Sequence, residues 1–440
     1  MVVLCGALLG PLNSTMIAVA LPPMATSLEV DTASMGWLVT AYLIAMAALQ
    51  PVAGRIGDRW GPRGVLLTGH ALFLVASVLA VLVTSLPLLV ACRVAQAAAG
   101  AMLTPTGLAL LRRTAPEDQL GRTFGLFGAV VPLGAAVGPV LGGLLIEVGG
   151  WEAIFLVNVP ITTFALLLGW RAIPALPSRD QKTSGPFDLL GAVWLCALLV
   201  ALTTVLEAEP RGSVLLLSVI ALALMSWAFL RYESRRKDPV LPPGVFAHRS
   251  FAVAAGGLAL SNFAFYITLL AVPLLLHARG VEGAAAGIIL GALTLASSPL
   301  SVLGGKLVDH LGLRPPAVGG LALVTLGLIP LVLQPTALPL PLLVGSLIVM
   351  GAGVGLSMPA FQVGALHDIG EEDTGVATGV LFTSRYLGSM IGTSLLAGPL
   401  APDSSDAATL LFTVLVGAAA LGAAVSGALP RGRTRPSART

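Results

Sequence analysis

The chain has 440 residues and a mass of 44.7 kDa, a length that ordinarily folds as two or three soluble domains. It is 56% hydrophobic and only 10% charged, with a mean hydropathy of +0.94, whereas globular proteins carry about a quarter charged residues. With only 24 Lys and Arg and 21 Asp and Glu to coat its surface, it is not a soluble enzyme, a nucleic-acid binder or a disordered scaffold, and reads as an all-α integral membrane protein.

A helix needs about 20 mostly apolar residues to cross the hydrocarbon. Charge-free runs of that length lie at 1–28 and 32–54. Residues 64–111, interrupted only by Arg93, break near Ser85-Leu86-Pro87 into two spans. Further single spans follow at 123–146, 153–170, 189–206, 212–230, 250–278 and 283–305. Residues 315–367 carry no Lys, Arg, Asp or Glu and break at Gln334–Pro339 into two more. Spans at 374–402, with Arg385 inside it, and at 407–430 bring the total to fourteen. The first run lacks a basic leader and is longer than the apolar region of a signal peptide, so it reads as span 1. Alternation over about 10 residues, the mark of a membrane barrel, is absent. Cys5, Cys92 and Cys196 each sit in an apolar run without a neighbour at metal-ligand spacing, and read as small buried hydrophobes.

Lys and Arg set the orientation. With the N-terminus inside, the inner segments hold Arg55, Arg59 and Arg63; Arg112, Arg113 and Arg122; Arg171, Arg179 and Lys182; Arg231, Arg235, Arg236, Lys237 and Arg249; Lys306 and Arg314; and Arg431, Arg433, Arg435 and Arg439. The outer segments hold only Arg211 and Arg279. Both termini are therefore expected in the cytoplasm. No inter-span loop exceeds about 20 residues, so no soluble domain is expected between spans. No G-x-x-x-x-G-K-[ST] is present to drive transport with ATP.

A repeat links the two halves. Gly54–Arg63 reads G-R-I-G-D-R-W-G-P-R, and Gly305–Arg314 reads G-K-L-V-D-H-L-G-L-R. Both fit G-[RK]-x-x-D-x-x-G-x-R, and each follows the second span of a six-span set. The expected organisation is a six-helix bundle over 1–174, an inserted helix pair with linkers over 175–249, a second bundle over 250–430, and a basic tail over 431–440. Paired bundles around a cavity are transporter architecture, with the substrate near the bilayer midplane.

Further motifs accompany the repeat. Span 1 carries L-N-S-T-M-I-A-V-A-L-P over Leu12–Pro22; span 4 carries Arg93-Val94-Ala95-Gln96, with Ala97 where Gly is usual; span 5 carries G-A-A-V-G-P-V-L-G-G over Gly134–Gly143. Trp151–Pro160 (W-E-A-I-F-L-V-N-V-P) and Phe187–Gly191 (F-D-L-L-G) complete the set. Together these resemble the major facilitator superfamily and, within it, the fourteen-helix drug:proton antiporters. The resemblance implies export of a small drug-like molecule by proton antiport, with the lipid bilayer and protons as further partners, no cofactor, no metal, a monomer, and a place in a bacterial cell membrane.

The resemblance also distributes roles. Arg93 is implicated in proton transfer, and Asp58 with Arg55, Arg59 and Arg63 in a latch at a helix-loop-helix corner. Gly134, Gly138 and Gly142 recur every four residues and so line one helix face; with Pro139 and Gly143 they form the motif that marks exporters. Small residues let helices approach closely in lipid, and Pro139 removes one backbone hydrogen bond. Candidate pathway residues are Asn13, Gln50, Gln96, Asn262, Tyr266, Gln362, Arg385 and Tyr386, each of which can equally serve in an interhelical hydrogen bond. Gln50 is the weakest of them, near the inner end of span 2.

One position departs from the family. Its acid in span 1 is Asn13 here, and none of the 21 carboxylates falls in the middle third of a span. Arg stays charged, so the coupling proton falls to Asp58, an end-of-span carboxylate such as Glu147, Asp188 or Glu207, or His70. The same absence points to a neutral, zwitterionic or anionic substrate, with Arg93 or Arg385 near its negative group. Uptake or facilitated diffusion on the same fold is the second reading. A membrane-embedded enzyme lacks any H-E-x-x-H, G-x-S-x-G or paired intramembrane carboxylates, and a sensor would add a soluble domain.

Overall fold

The computed structural model describes residues 1–173, 188–208, 212–236, 239–281, 283–370, 373–397 and 405–430. Among these, fourteen helices of fifteen to thirty residues follow in chain order. The first six are α1 (Val2–Ser27), α2 (Trp37–Trp60), α3 (Pro62–Leu82), α4 (Leu86–Thr114), α5 (Leu120–Gly149) and α6 (Asn158–Ala172). Next come α7 (Leu189–Ala208) and α8 (Gly212–Glu233). The last six are α9 (Arg249–His277), α10 (Gly283–Leu311), α11 (Arg314–Leu333), α12 (Leu340–Ala365), α13 (Thr374–Ala397) and α14 (Ser405–Ser426). Twelve are long and apolar enough to cross a membrane by length and composition; α7 and α13 fall outside that set. Both expected breaks occur: α3 ends at Leu82 and α4 begins at Leu86, while α11 ends at Leu333 and α12 begins at Leu340.

The repeated motif differs from expectation in its local structure. The sequence reading puts it at a helix-loop-helix corner, yet Gly54–Trp60 continues α2 and Gly305–Leu311 continues α10. Polar residues at the end of a span lengthen the helix past the apolar zone, because the backbone keeps its hydrogen bonds by doing so. The turn itself falls on the last Gly of each copy. Gly61 has φ +89° and Gly312 φ +83°, a positive-φ backbone that Gly adopts readily and residues with a Cβ rarely do. Span 6 also begins with a separate helical turn, Ala153–Leu156, before α6.

Packing repeats with an offset of eight helices. In the first set α1 packs on α4, α5 and α6, α2 on α4, and α3 on α4 and α6. In the last set α9 packs on α12, α13 and α14, α10 on α12, and α11 on α12 and α14. The two sets exchange partners reciprocally: α2 lies against α13, and α10 against α5. Helices α7 and α8 pack on each other, and α7 touches α2 and α13 from outside. Arg179, Lys182, Arg211, Lys237 and the 431–440 tail, expected to fix orientation, lie outside the described residues. Cys5, Cys92 and Cys196 are free.

Candidate functional site

The two copies of the motif meet the opposite set of helices in the same way. Asp58 is buried at the end of α2, and its carboxylate accepts from the backbone N–H groups of Gly375 and Val376, both at 2.8 Å. Asp309 on α10 accepts from the N–H groups of Gly121 (2.7 Å) and Arg122 (2.8 Å). Each acid therefore caps the N-terminus of the fifth helix of the other set, where unsatisfied donors and the helix dipole favour a negative charge.

The first Gly of each copy makes this approach possible. A Cβ at Gly54 would lie 2.1 Å from the Gly375 carbonyl oxygen, and one at Gly305 would lie 2.1 Å from that of Gly121. Above these contacts, Thr383 Oγ1 donates to Ala47 O (2.7 Å), Ser301 Oγ to Gly125 O (3.0 Å) and Ser298 Oγ to Ala129 O (2.9 Å). These seams run along the motif end of the molecule. Toward the other end of α10, a Cβ at Gly287 would meet nothing within 4 Å, and Ile288 is 76% exposed.

The arginines are arranged differently from the expected cluster around Asp58. Its ion-pair partner is Arg113 of α4, at 3.8 Å. Arg55 donates to Pro239 O through Nε (3.2 Å) and a terminal nitrogen (2.9 Å), and pairs with Asp373 at 2.9 Å. Arg63 donates to Trp170 O (2.7 Å), on α6. Arg112 donates to Thr374 Oγ1 (3.0 Å) and Ile369 O (2.8 Å). The motif arginines thus fan out to tie neighbouring segments, and the end of α4 supplies the cations nearest the cap. Arg112 and Arg113 were legible in the sequence only as topology markers.

Arg93 lies deeper in the first set and is fully buried. It donates to Gln96 Oε1 (2.9 Å) and Leu38 O (3.3 Å), and its guanidinium sits 4.3 Å from the centroid of the Tyr42 ring. Gln96 also accepts from Asn13 Nδ2 (3.2 Å) and donates to Ser77 Oγ (2.9 Å). This network joins α1, α2, α3 and α4 without a carboxylate. Among the described residues Asn13 Oδ1 has no hydrogen-bond partner. In the second set, Arg385 donates through Nε to Asn262 Oδ1 (3.1 Å); Asn262 donates to Arg385 O (3.0 Å) and bonds Ser389 Oγ. Tyr386 on α13 packs against the α2–α4 cluster containing Tyr42 and Met46.

The remaining candidates divide by location. Gln50 is buried in the α2–α13 seam, where its carbonyl oxygen would be 2.4 Å from a Cβ at Gly379. Among the described residues the side-chain amides of Gln50 and Gln362 have no hydrogen-bond partner. Tyr266 is half-buried on α9. Imidazole Nδ1 of His70 donates to Leu66 O (2.8 Å), and the ring lies among packed residues beside Gly6.

Gly134, Gly138 and Gly142 share one face, as their spacing requires, and that face is covered by α1. A Cβ at Gly138 would lie 1.9 Å from Thr15 Oγ1; one at Gly134 meets Leu8 at 3.0 Å and one at Gly142 meets Met16 at 3.2 Å. Gly143 has open space, and Pro139 is exposed. The motif thus closes α5 onto α1 within its own set. Contact with the other set is made by Gly121, Gly125 and Gly128, whose Cβ positions are filled by α10. Sequence reasoning missed these three, although their spacing of four and three is itself a helix-face signal.

The family model of the Major Facilitator Superfamily matches residues 3–393. A MFS-type transporter of Bacillus subtilis (strain 168) called YvkA, itself uncharacterized, is 33% identical over 89% of this chain and 88% of its own length. The tetracenomycin C resistance and export protein of Streptomyces glaucescens is 30% identical over 98% of this chain and 82% of its own. In fold, the crystal structure of the human organic anion transporter MFSD10 superposes with a TM-score of 0.69 at 17% identity, covering 97% of this chain and 98% of that one. Reciprocal packing of two helix sets, a motif in each that caps the other, and a family match across most of the sequence agree: this chain belongs to the Major Facilitator Superfamily, and is a multi-pass membrane transporter.

Proposed function

We propose that the protein is a secondary active exporter of a small amphiphilic, drug- or antibiotic-like molecule, working by alternating access and proton antiport. In this reading all fourteen helices cross the cytoplasmic membrane and both termini face the cytoplasm. Residues 1–174 and 250–430 act as two moving bundles, with 175–249 as the inserted pair and its linkers and 431–440 as a cytoplasmic tail. The observation that carries it is the reciprocal capping by Asp58 and Asp309. It holds one end shut, as one of the two states of alternating access requires. With the motif end inside, the molecule is closed to the cytoplasm. Export is further supported by the resistance and export function named for the Streptomyces relative.

The central network supports the substrate class. Arg93 is buried among neutral partners, and a buried cation without a counter-ion is costly. A negative group on the substrate compensates it, with Arg385 contributing from the other bundle, so the favoured substrates are anionic, zwitterionic or neutral. Asp58, whose charge forms the latch, is the group through which a proton can open it. The test is a panel of toxic compounds applied to cells with and without the gene, repeated with a protonophore and with Arg93→Gln. Resistance to the anionic members should collapse on uncoupling and on the substitution. Export of ethidium-like cations indifferent to every Arg substitution contradicts this substrate class. Resistance that survives the protonophore contradicts the antiport.

A further inference from the structure

Helix α8 is the most exposed of the long helices. It packs chiefly on α7, and Val214, Leu216, Leu217, Val219, Ile220 and Leu224 all face outward. In a membrane protein such a face is covered by acyl chains. Its 22 residues span about 33 Å, the thickness of a hydrocarbon core. Arg231, Arg235 and Arg236, at its end and just beyond, therefore sit at headgroup depth, where Trp is also enriched.

These arginines share one open groove. A cavity of 580 Å³ between α7 and α8 is lined by Trp194, Trp227, Ala228, Tyr232 and all three guanidinium groups. Its walls are organised. Trp194 and Tyr232 pack with centroids 5.6 Å apart, the Arg231 guanidinium lies 5.9 Å from the Trp227 centroid, and that of Arg236 lies 4.5 Å from Tyr232. Tyr232 donates to Asp188 Oδ1 at 2.8 Å, which fixes the ring. Asp188 Oδ2 stands 3.8 Å from Arg236 Nε and takes up part of one charge. The other nearby acid, Glu233, is buried on the far side and accepts from the N–H of Leu241. Among the described residues no carboxylate pairs with Arg231 or Arg235, so the groove keeps a net positive charge.

We infer that this groove is a binding site for the phosphate headgroup of an anionic phospholipid, held by Arg231 and Arg235 between the Trp194 and Trp227 rings. A charge turn that only sets topology needs no aromatic walls and no cavity. A free phosphate would gain from the arginines but nothing from the exposed apolar face that leads into the site. Basic pockets between helices on the cytoplasmic side recognise anionic lipids through these same terms. This inference needs the protein to be in a membrane and is independent of what it transports.

The test uses the full-length protein in phosphatidylcholine vesicles carrying spin-labelled phosphatidylglycerol or spin-labelled phosphatidylcholine. The protein should select phosphatidylglycerol. Each arginine near the surface contributes about 1 kcal/mol, so R231Q/R235Q should weaken that selection by about 30-fold, and each single variant by about fivefold. R231K/R235K should retain it within about threefold. R171Q/R249Q, removing two exposed arginines at other helix ends, should leave it unchanged. Should the double glutamine variant aggregate, the two single variants decide. Undiminished selection by R231Q and R235Q, or equal retention of phosphatidylcholine, overturns the site. Displacement of phosphatidylglycerol by millimolar inorganic phosphate overturns its assignment to lipid.

Discussion

Asp58 shows how one carboxylate can tie together two distant parts of a chain. Buried, with two backbone N–H donors, it holds a helix terminus 317 residues away in sequence. Hydrogen bonds to a charged group contribute about 1.5–3 kcal/mol, and Asp58→Asn forfeits most of that, since its amide nitrogen confronts a donor. The variant should be expressed at normal level yet lose resistance by an order of magnitude; wild-type resistance contradicts the latch. At Gly138 the argument is steric. A methyl group there meets Thr15 Oγ1, whereas at Gly143 it meets nothing within 4 Å. Gly138→Ala should therefore destabilise the detergent-solubilised protein by about 1–3 kcal/mol, and Gly143→Ala should not, since Ala favours a helix by up to about 1 kcal/mol over Gly. Thermal unfolding of the two variants side by side checks this; equal melting points contradict the packing of α5 on α1.

Between elements, the caps are a matched pair, and this leads to an expectation the sequence did not give. The family resemblance assigns a latch to Asp58 and its neighbouring arginines, and the second copy of the motif carries fewer arginines. The structure gives both acids two N–H donors at the same distances within 0.1 Å. Asp309→Asn should consequently impair transport as severely as Asp58→Asn in the same assay; a silent Asp309 contradicts reciprocal capping. The positions of the helices, both interior breaks and the recurrence of the motif were legible because they depend on local composition: apolar runs, a Pro near a helix start, a Gly that accepts positive φ. The partners of Asp58, Arg55 and Arg63 were not legible. They come from Gly375, Val376, Pro239, Asp373 and Trp170, which only the tertiary fold brings near. The helical state of Gly54–Trp60 was missed for a related reason, since charge marks where the apolar zone ends and says little about where the helix does. Face assignment on α5 was half right: periodicity put three glycines together, but not against which helix.

At the scale of the whole molecule, two six-helix sets touch chiefly through α2–α13 and α10–α5, with α4–α13 and α5–α12 beside them, and the described hydrogen bonds between them lie in the half that carries the motifs. In the proposed cycle, rocking of the two sets about the centre exchanges which end is sealed. Helices α7 and α8 pack outside this frame. The motion itself is the central claim, and spin-label distances test it directly. With Cys5, Cys92 and Cys196 replaced, one label pair goes at Gly64 and Gly319, which have open space at the motif end, and another at Val148 and Ile288, exposed toward the other end. Introducing Asp58→Asn with Asp309→Asn should lengthen the first distance and shorten the second in the same sample. Two distance distributions that stay as in the wild type, or that lengthen together, would contradict alternating access through this pair of caps.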